Sequence, residues 1–345
     1  MHQTLRPYVT AGVAVLGAGM IAATPLAAAS AVDVHSMPDV ALTAGIELGD
    51  IDFTKAWTDA FNTATSNYDT VTAALHDAQS ALSDALAAKP DVDGQQLFDA
   101  VTFLGGDQKG FLNPLSNWTL DGAHSLLYYG LTGQLAATGL FPAPDETVQG
   151  VVNFLASPLS GTIFSQLGPS ISPLVSMINS FDAISGDLTG SAPNYTAALQ
   201  EMVNIPANML NGFLNGDTLN LDTLIPAIVK ADLIALPDGA SIDHLNLAFG
   251  GLLTPGGVPG AGADGVTAAG GSIFNALGLD LSGVPIINNL AVAADGVGPL
   301  GAMAGFEQAL AALFSGSLNW AGDTTTTGGA EFTDGLTGLL DGLGL

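Results

Sequence analysis

The chain has 345 residues, no cysteine, five basic residues against 32 acidic ones and a net charge of −27, yet 48% of it is hydrophobic. Its single arginine is Arg6, so beyond the leader only Lys55, Lys89, Lys109 and Lys230 oppose the 32 acids, a net of −28. Four scattered lysines cannot line a phosphate backbone, an anionic headgroup surface or the cytoplasmic loops of a helical multi-span protein, which excludes all three as partners or architectures.

Residues 1–31 read as an export signal, with Arg6 in a short n-region and an apolar stretch over residues 9–23. Ala29-Ser30-Ala31 supplies small side chains at −3 and −1, so Ala29 and Ala31 mark the cleavage region. Ala27-Ala28-Ala29 is an equally good site, and an uncleaved anchor is the rival reading. No later stretch offers about 18 uninterrupted apolar residues, so no helical transmembrane segment is expected in the mature chain. Without cysteine there are no disulfides, thiolate nucleophiles or cysteine metal ligands.

The strongest periodic element spans residues 53–82. Trp57, Phe61, Ala64, Tyr68, Val71, Leu75, Ala78 and Leu82 alternate steps of four and three, an amphipathic helix that Lys89-Pro90 must end. The stripe either packs on the rest of the domain, oligomerises, or lies on lipid. Shorter helical patterns cover residues 95–104, 147–155 and 174–181. A longer one runs from Tyr195 through Leu199, Met202, Met209 and Phe213, and Pro206 is expected to kink or divide it.

After Asn215-Gly216-Asp217 the pattern becomes extended: Leu219-Asn220-Leu221, Leu245-Asn246-Leu247 and Leu279-Asp280-Leu281 each alternate apolar and polar, too unevenly spaced for a repeat. Residues 250–271 are Gly/Pro/Ala-rich and are expected to form a loop or linker outside any packed core. The tail, residues 328–345, is expected to be a frayed apolar helix or disordered. The segments are therefore a leader (1–31), the long-helix segment (32–90), a mixed, mostly helical body (91–248), a low-complexity loop (249–271) and an apolar, Gly-rich region (272–345).

Chemical motifs are weak. The G-x-G-x-x-G of residues 260–265 follows prolines where a dinucleotide site needs a strand, and one imperfect calcium-binding nonapeptide there has no neighbours to stack on. Asp91-Val92-Asp93-Gly94 lacks an EF-hand's spaced ligands. Gly168-Pro169-Ser170-Ile171-Ser172 resembles a hydrolase elbow without its strand–turn–helix context, leaving a triad with His124 or His244 unsupported. The histidines show no zinc spacing, and Asn117 and Asn194 begin glycosylation sequons. No catalytic, cofactor-binding or metal residue is assigned, and no enzyme is expected.

Three stretches carry a family resemblance: Arg6-Pro7-Tyr8-Val9-Thr10-Ala11-Gly12-Val13, residues 204–216 (Asn-Ile-Pro-Ala-Asn-Met-Leu-Asn-Gly-Phe-Leu-Asn-Gly) and residues 248–256 (Ala-Phe-Gly-Gly-Leu-Leu-Thr-Pro-Gly). They resemble the GjpA-type outer-membrane porins of mycobacteria and related mycolic-acid bacteria. The resemblance implies an exported envelope protein and channel former, with outer-membrane lipid or other envelope components as partners. An acidic pore would prefer cations. A self-contained barrel needs at least about eight strands of about 9–11 residues, which the patterning does not supply, so a pore would require a homo-oligomer. The other open reading is a secreted or wall-associated, non-enzymatic helical protein with a structural or lipid- or partner-binding role. The expected fold is mainly α, with short extended hairpins and a Gly/Pro-rich irregular C-terminal third.

Overall fold

The computed structural model describes residues 41–42, 46–88, 91–104, 119–133, 135, 146–189, 191–230, 236, 239–257, 269–284 and 288–316. Among them the chain is mainly helical, with one small antiparallel sheet and no barrel, in agreement with the expected fold. No described helix is long and apolar enough to cross a membrane.

A two-stranded ladder, β1 (Ala41–Leu42) and β2 (Ile46–Glu47), precedes helix α1 (Lys55–Ala87). Asp52 starts this helix: its Oδ1 accepts from the backbone N–H groups of Thr54 (2.8 Å) and Lys55 (2.9 Å), donors that lack an intrahelical acceptor. The face that α1 buries keeps the small members of the expected stripe, Ala64, Val71 and Ala78, and leaves out its large aromatic ones. Ala60, Ala64, Val71, Ala74, Ala78 and Ala85 are buried, while Phe61 and Tyr68 stand exposed. The reason is close packing against α9 (Pro299–Ser315), whose Ala304 meets Ala74; helix axes approach as far as the contact side chains allow.

Helices α2 (Gly94–Thr102), α3 (Gly122–Leu131), α4 (Glu146–Leu155) and α5 (Pro158–Ser165) form the central body. Three begin on side-chain caps: Asp93 with a reciprocal bond from Gln96, Asp121, and Ser157 just before Pro158. Two long helices follow, α6 (Gly168–Thr189) and α7 (Tyr195–Asn215), packed against each other, with α7 also against α1. Of the two outcomes expected at Pro206, a kink or a division, the division does not occur: α7 runs through it as one helix, and α6 runs through Pro173. Pro206 and Met202, whose carbonyl loses its donor to the proline, both lie on the exposed face of the helix.

The three alternating pieces become neighbours in one sheet. Strands β3 (Asp217–Asn220), β4 (Ser241–Phe249), β5 (Leu277–Val284) and β6 (Asn288–Val292) are antiparallel in sequential order, and α8 (Ile225–Lys230) lies in the β3–β4 connection. Register pairs Leu219 with Leu247, Leu247 with Leu277, and Leu245 with Leu279. A bulge at Ile242/His244 lets Ile242 and Leu245, three residues apart, both face the core. There they join Leu279, Leu281, Leu290 and Val292 against Leu126, Leu127 and Tyr128 of α3, with Phe103 and Leu313.

The Gly/Pro-rich segment departs from expectation at both described ends. Residues 250–257 and 269–271 are irregular, yet Gly250, Gly251, Leu253, Ala269, Gly270 and Gly271 are buried. Their backbone is stitched to helices and to itself: Leu252 N donates to Phe213 O (2.8 Å), Leu253 N to Leu214 O (2.8 Å), and Gly270 N to Pro255 O (2.9 Å). Missing side chains permit these approaches, so low complexity here marks close packing of backbone rather than exclusion from the core. Residues 328–345 lie outside the described residues.

Candidate functional site

Residues 204–216 and 248–256 meet in space. The end of α7 and the turn after β4 are joined by the two bonds from Leu252 and Leu253, and Thr254 Oγ1 donates to Asn215 O (2.8 Å). Together with Ala294, Asp295 and Gly296 they wall a cleft of about 390 Å³. Two carboxylates line it. Asp217 accepts from Ser176 Oγ (2.5 Å) and Asn179 Nδ2 (3.0 Å), both on α6. Asp295 sits under Gly257, where an added Cβ would stand 2.4 Å from its carboxyl carbon.

Behind Asp295 lies a buried polar cluster. Asp121 caps α3 by accepting from His124 N (2.8 Å), and its other oxygen meets His124 Nδ1 at 2.9 Å. His124 is fully buried, and its Nε2 lies 2.8 Å from the Leu277 carbonyl, which can only accept, so Nε2 carries a proton. Phe274 packs edge-on against the ring. Asn275 ties the carboxylates together: its Oδ1 accepts from Asp121 N (3.0 Å), and its carbonyl accepts from Asp295 N (2.9 Å). Ligand atoms of Asp121, His124 and Asp295 all lie within 4.8 Å of one another.

The electrostatics follow from that crowding. Burial, the hydrogen bond to Asp121 and repulsion from its charge push the Asp295 carboxyl up to about 6. Burial also opposes ionisation of Asp121, but hydrogen bonds and charge from His124 outweigh it and leave that carboxyl below its ordinary range. Asp295 therefore keeps a proton at mildly acidic pH and shares it with the Asp121 carboxylate. The cluster can hold or pass a proton, but none of its three side chains is a hydroxyl or thiol nucleophile.

A second cleft, about 540 Å³, separates α1 from α7 and is lined by Asp52, Lys55, Asp59, Gln200, Asn204, Asn208 and Asn211. An amide seam runs from its lining toward the first cleft, which Asn215 lines. Gln200 Nε2 donates to Asn204 Oδ1 (2.9 Å), Asn215 Nδ2 to Asn211 Oδ1 (2.8 Å) and to Ala60 O (2.9 Å), and Asn67 Nδ2 to Asn215 Oδ1 (3.1 Å). Lys55 is paired with Asp59 at the cleft's edge.

The motifs read from the sequence find structural employment or fall elsewhere. Asp93 is a helix cap, as is Asn194, whose side chain accepts from Ala197 N. Ser170 lies exposed in the first turn of α6, with no hydrogen bond to His124 or His244; the latter pairs with Asp222 at 3.1 Å. Ala29, Ala31, Asn117 and residues 260–265 lie outside the described residues. The cluster was missed because only Asp121 and His124, three apart at a helix start, are local in sequence. Compared with known proteins, the chain matches no protein-family model, no curated protein and no solved structure.

Proposed function

We propose that this chain is an exported, non-enzymatic protein of the cell envelope that works at the outer-membrane lipid as a homo-oligomer, and that any pore it opens prefers cations. One observation carries the reading: the α6–α7 pair turns large apolar side chains outward while serines share its buried face. Ser172, Ser176 and Ser180 are buried alongside Val175 and Ile184, while Leu174, Ile178 and Phe181 of α6 and Met202 of α7 face outward. A helix pair in water shows the opposite pattern, so the outward face calls for apolar surroundings. The resemblance to GjpA-type porins supports the same reading, since two of its patches wall the cleft that holds Asp217 and Asp295. A field with almost no basic residues raises local cation concentration and repels anions.

Planar-bilayer recording of detergent-purified oligomer tests the pore. Discrete conductance steps with a cation-selective reversal potential are expected; a clean oligomer that gives no steps would sink the channel. A second reading, a secreted or wall-associated helical protein with a binding role, is favoured by the core that α3, α9 and the sheet enclose among themselves. A monomeric mass and an unchanged helical circular dichroism spectrum in water, without detergent, would favour it.

A further inference from the structure

We infer that the outer face of the α6–α7 hairpin seats on an uncharged lipid surface, lying in its plane rather than crossing it. The inference rests on the envelope reading above and names the partner of one surface within it. On α6, Leu174, Ile178 and Phe181 follow Leu167 at steps of seven, four and three, and all four are 44–53% exposed. They form one stripe, opposite the serine face that packs on α7. Tyr195 and Met202, seven apart on α7, are 50% and 55% exposed, so the second helix carries an apolar face of its own. With 22 and 21 residues, the helices extend about 33 and 31 Å at about 1.5 Å per residue.

Charge selects the occupant. Residues 168–215 contain Asp182, Asp187 and Glu201 and no lysine or arginine. Interfacial helices that bind anionic lipid carry basic residues beside their apolar face. This hairpin has none, and its acids repel phosphate-bearing anionic headgroups. A second copy meeting it face to face would bring the same three acids together with no cation from either side. An acyl or glycolipid surface of zero net charge imposes neither cost. No described helix is long and apolar enough to cross a membrane, which leaves the face-down arrangement.

The test is flotation of the full chain with vesicles of phosphatidylcholine alone, or mixed with anionic phosphatidylglycerol. Wild-type chain should float with the neutral vesicles and at least about tenfold less with the anionic ones at low salt. Leu174→Glu and Ile178→Glu, at exposed positions, should lose flotation while keeping the wild-type circular dichroism and melting temperature. Val229→Glu, an equally exposed position on α8, should float as wild type does. Equal flotation of wild type and Ile178→Glu would overturn the inference, while the envelope reading is decided separately by the conductance recording. A lipid-free dimer that sedimentation shows dissolving in Ile178→Glu would overturn the inference too and assign the face to a second copy. Flotation through this face without conductance would uphold it and remove the pore.

Discussion

Gly168 at the start of α6 lies against Gly250 at the end of β4 so closely that a Cβ on Gly168 would stand 2.0 Å from the Gly250 carbonyl oxygen. Gly161 of α5 makes a like approach to Gly271, at 2.1 Å. Both contacts are backbone against backbone, which cannot give way as a side chain can. Gly168→Ala and Gly161→Ala should each destabilise by roughly 2–4 kcal/mol, the range of severe core overpacking. Gly186→Ala, in open space inside α6, should instead stabilise by about 0.5–1 kcal/mol. Urea denaturation of the three variants checks the contrast.

The Asp121–Asp295 pair gives stability a pH dependence. Asp295 binds its proton more tightly in the folded chain, up to about 6, than in the unfolded one. Its stabilisation is therefore complete below the ordinary aspartate pKa, about 4, is lost as pH climbs to about 6, and is flat above. Asp295 is partly exposed, so after discounting for solvent the loss should be about 1–2 kcal/mol. Asp121, held low by His124, adds the opposite slope only below about pH 4. Asp295→Asn keeps a donor toward Asp121 and should flatten the decline between pH 4 and 6 in a denaturation series.

His124→Leu should be among the most damaging single changes in the central body. It strands the Leu277 carbonyl inside the core and removes the partner that keeps Asp121 ionised. A loss of about 2–3 kcal/mol is expected from an orphaned acceptor and a carboxylate stripped of its imidazole partner, read as a lower urea midpoint.

The amide seam predicts a directional effect at Asn215. Asn215→Leu fits the volume but leaves the Asn67 amide without its partner and strips the Ala60 carbonyl of its second donor. A loss of about 2–3 kcal/mol is expected, and Asn67→Ala added to it should cost much less than it does alone. A double-mutant cycle by thermal melting measures the coupling.

How far the sequence discloses this fold depends on whether a residue's partner is local. The end of α1 before Pro90 and the alternating strands are set by neighbours, so they are legible. The helix α3 is buried on every side, from His124 to Leu131, and carries no amphipathic period to read. The helix α9 hides for a related reason, since its glycines and alanines look like low complexity until the Gly/Pro-rich segment is seen against Gly301 and Gly305 and α1 against Ala304. In α1 the periodicity is correct but the weighting misleads: large apolar residues attract attention, while alanines make the contact. Asp295 could not be placed with Asp121 and His124, because a fold, not a spacing, brings them together.

The pairing of α1 with α9 also governs the order in which the molecule can form. The first long helix finds its partner in the last described one, so Ala74 cannot meet Ala304 until nearly the whole described chain has been made. Closure over such a sequence distance is entropically slow, and earlier helices wait without it. A chain that ends before α9 displays the bare alanine ridge of α1 as unfinished surface. With α9 present the same clasp fastens the first described helix to the last, so a break in a loop between them leaves two fragments still buckled together.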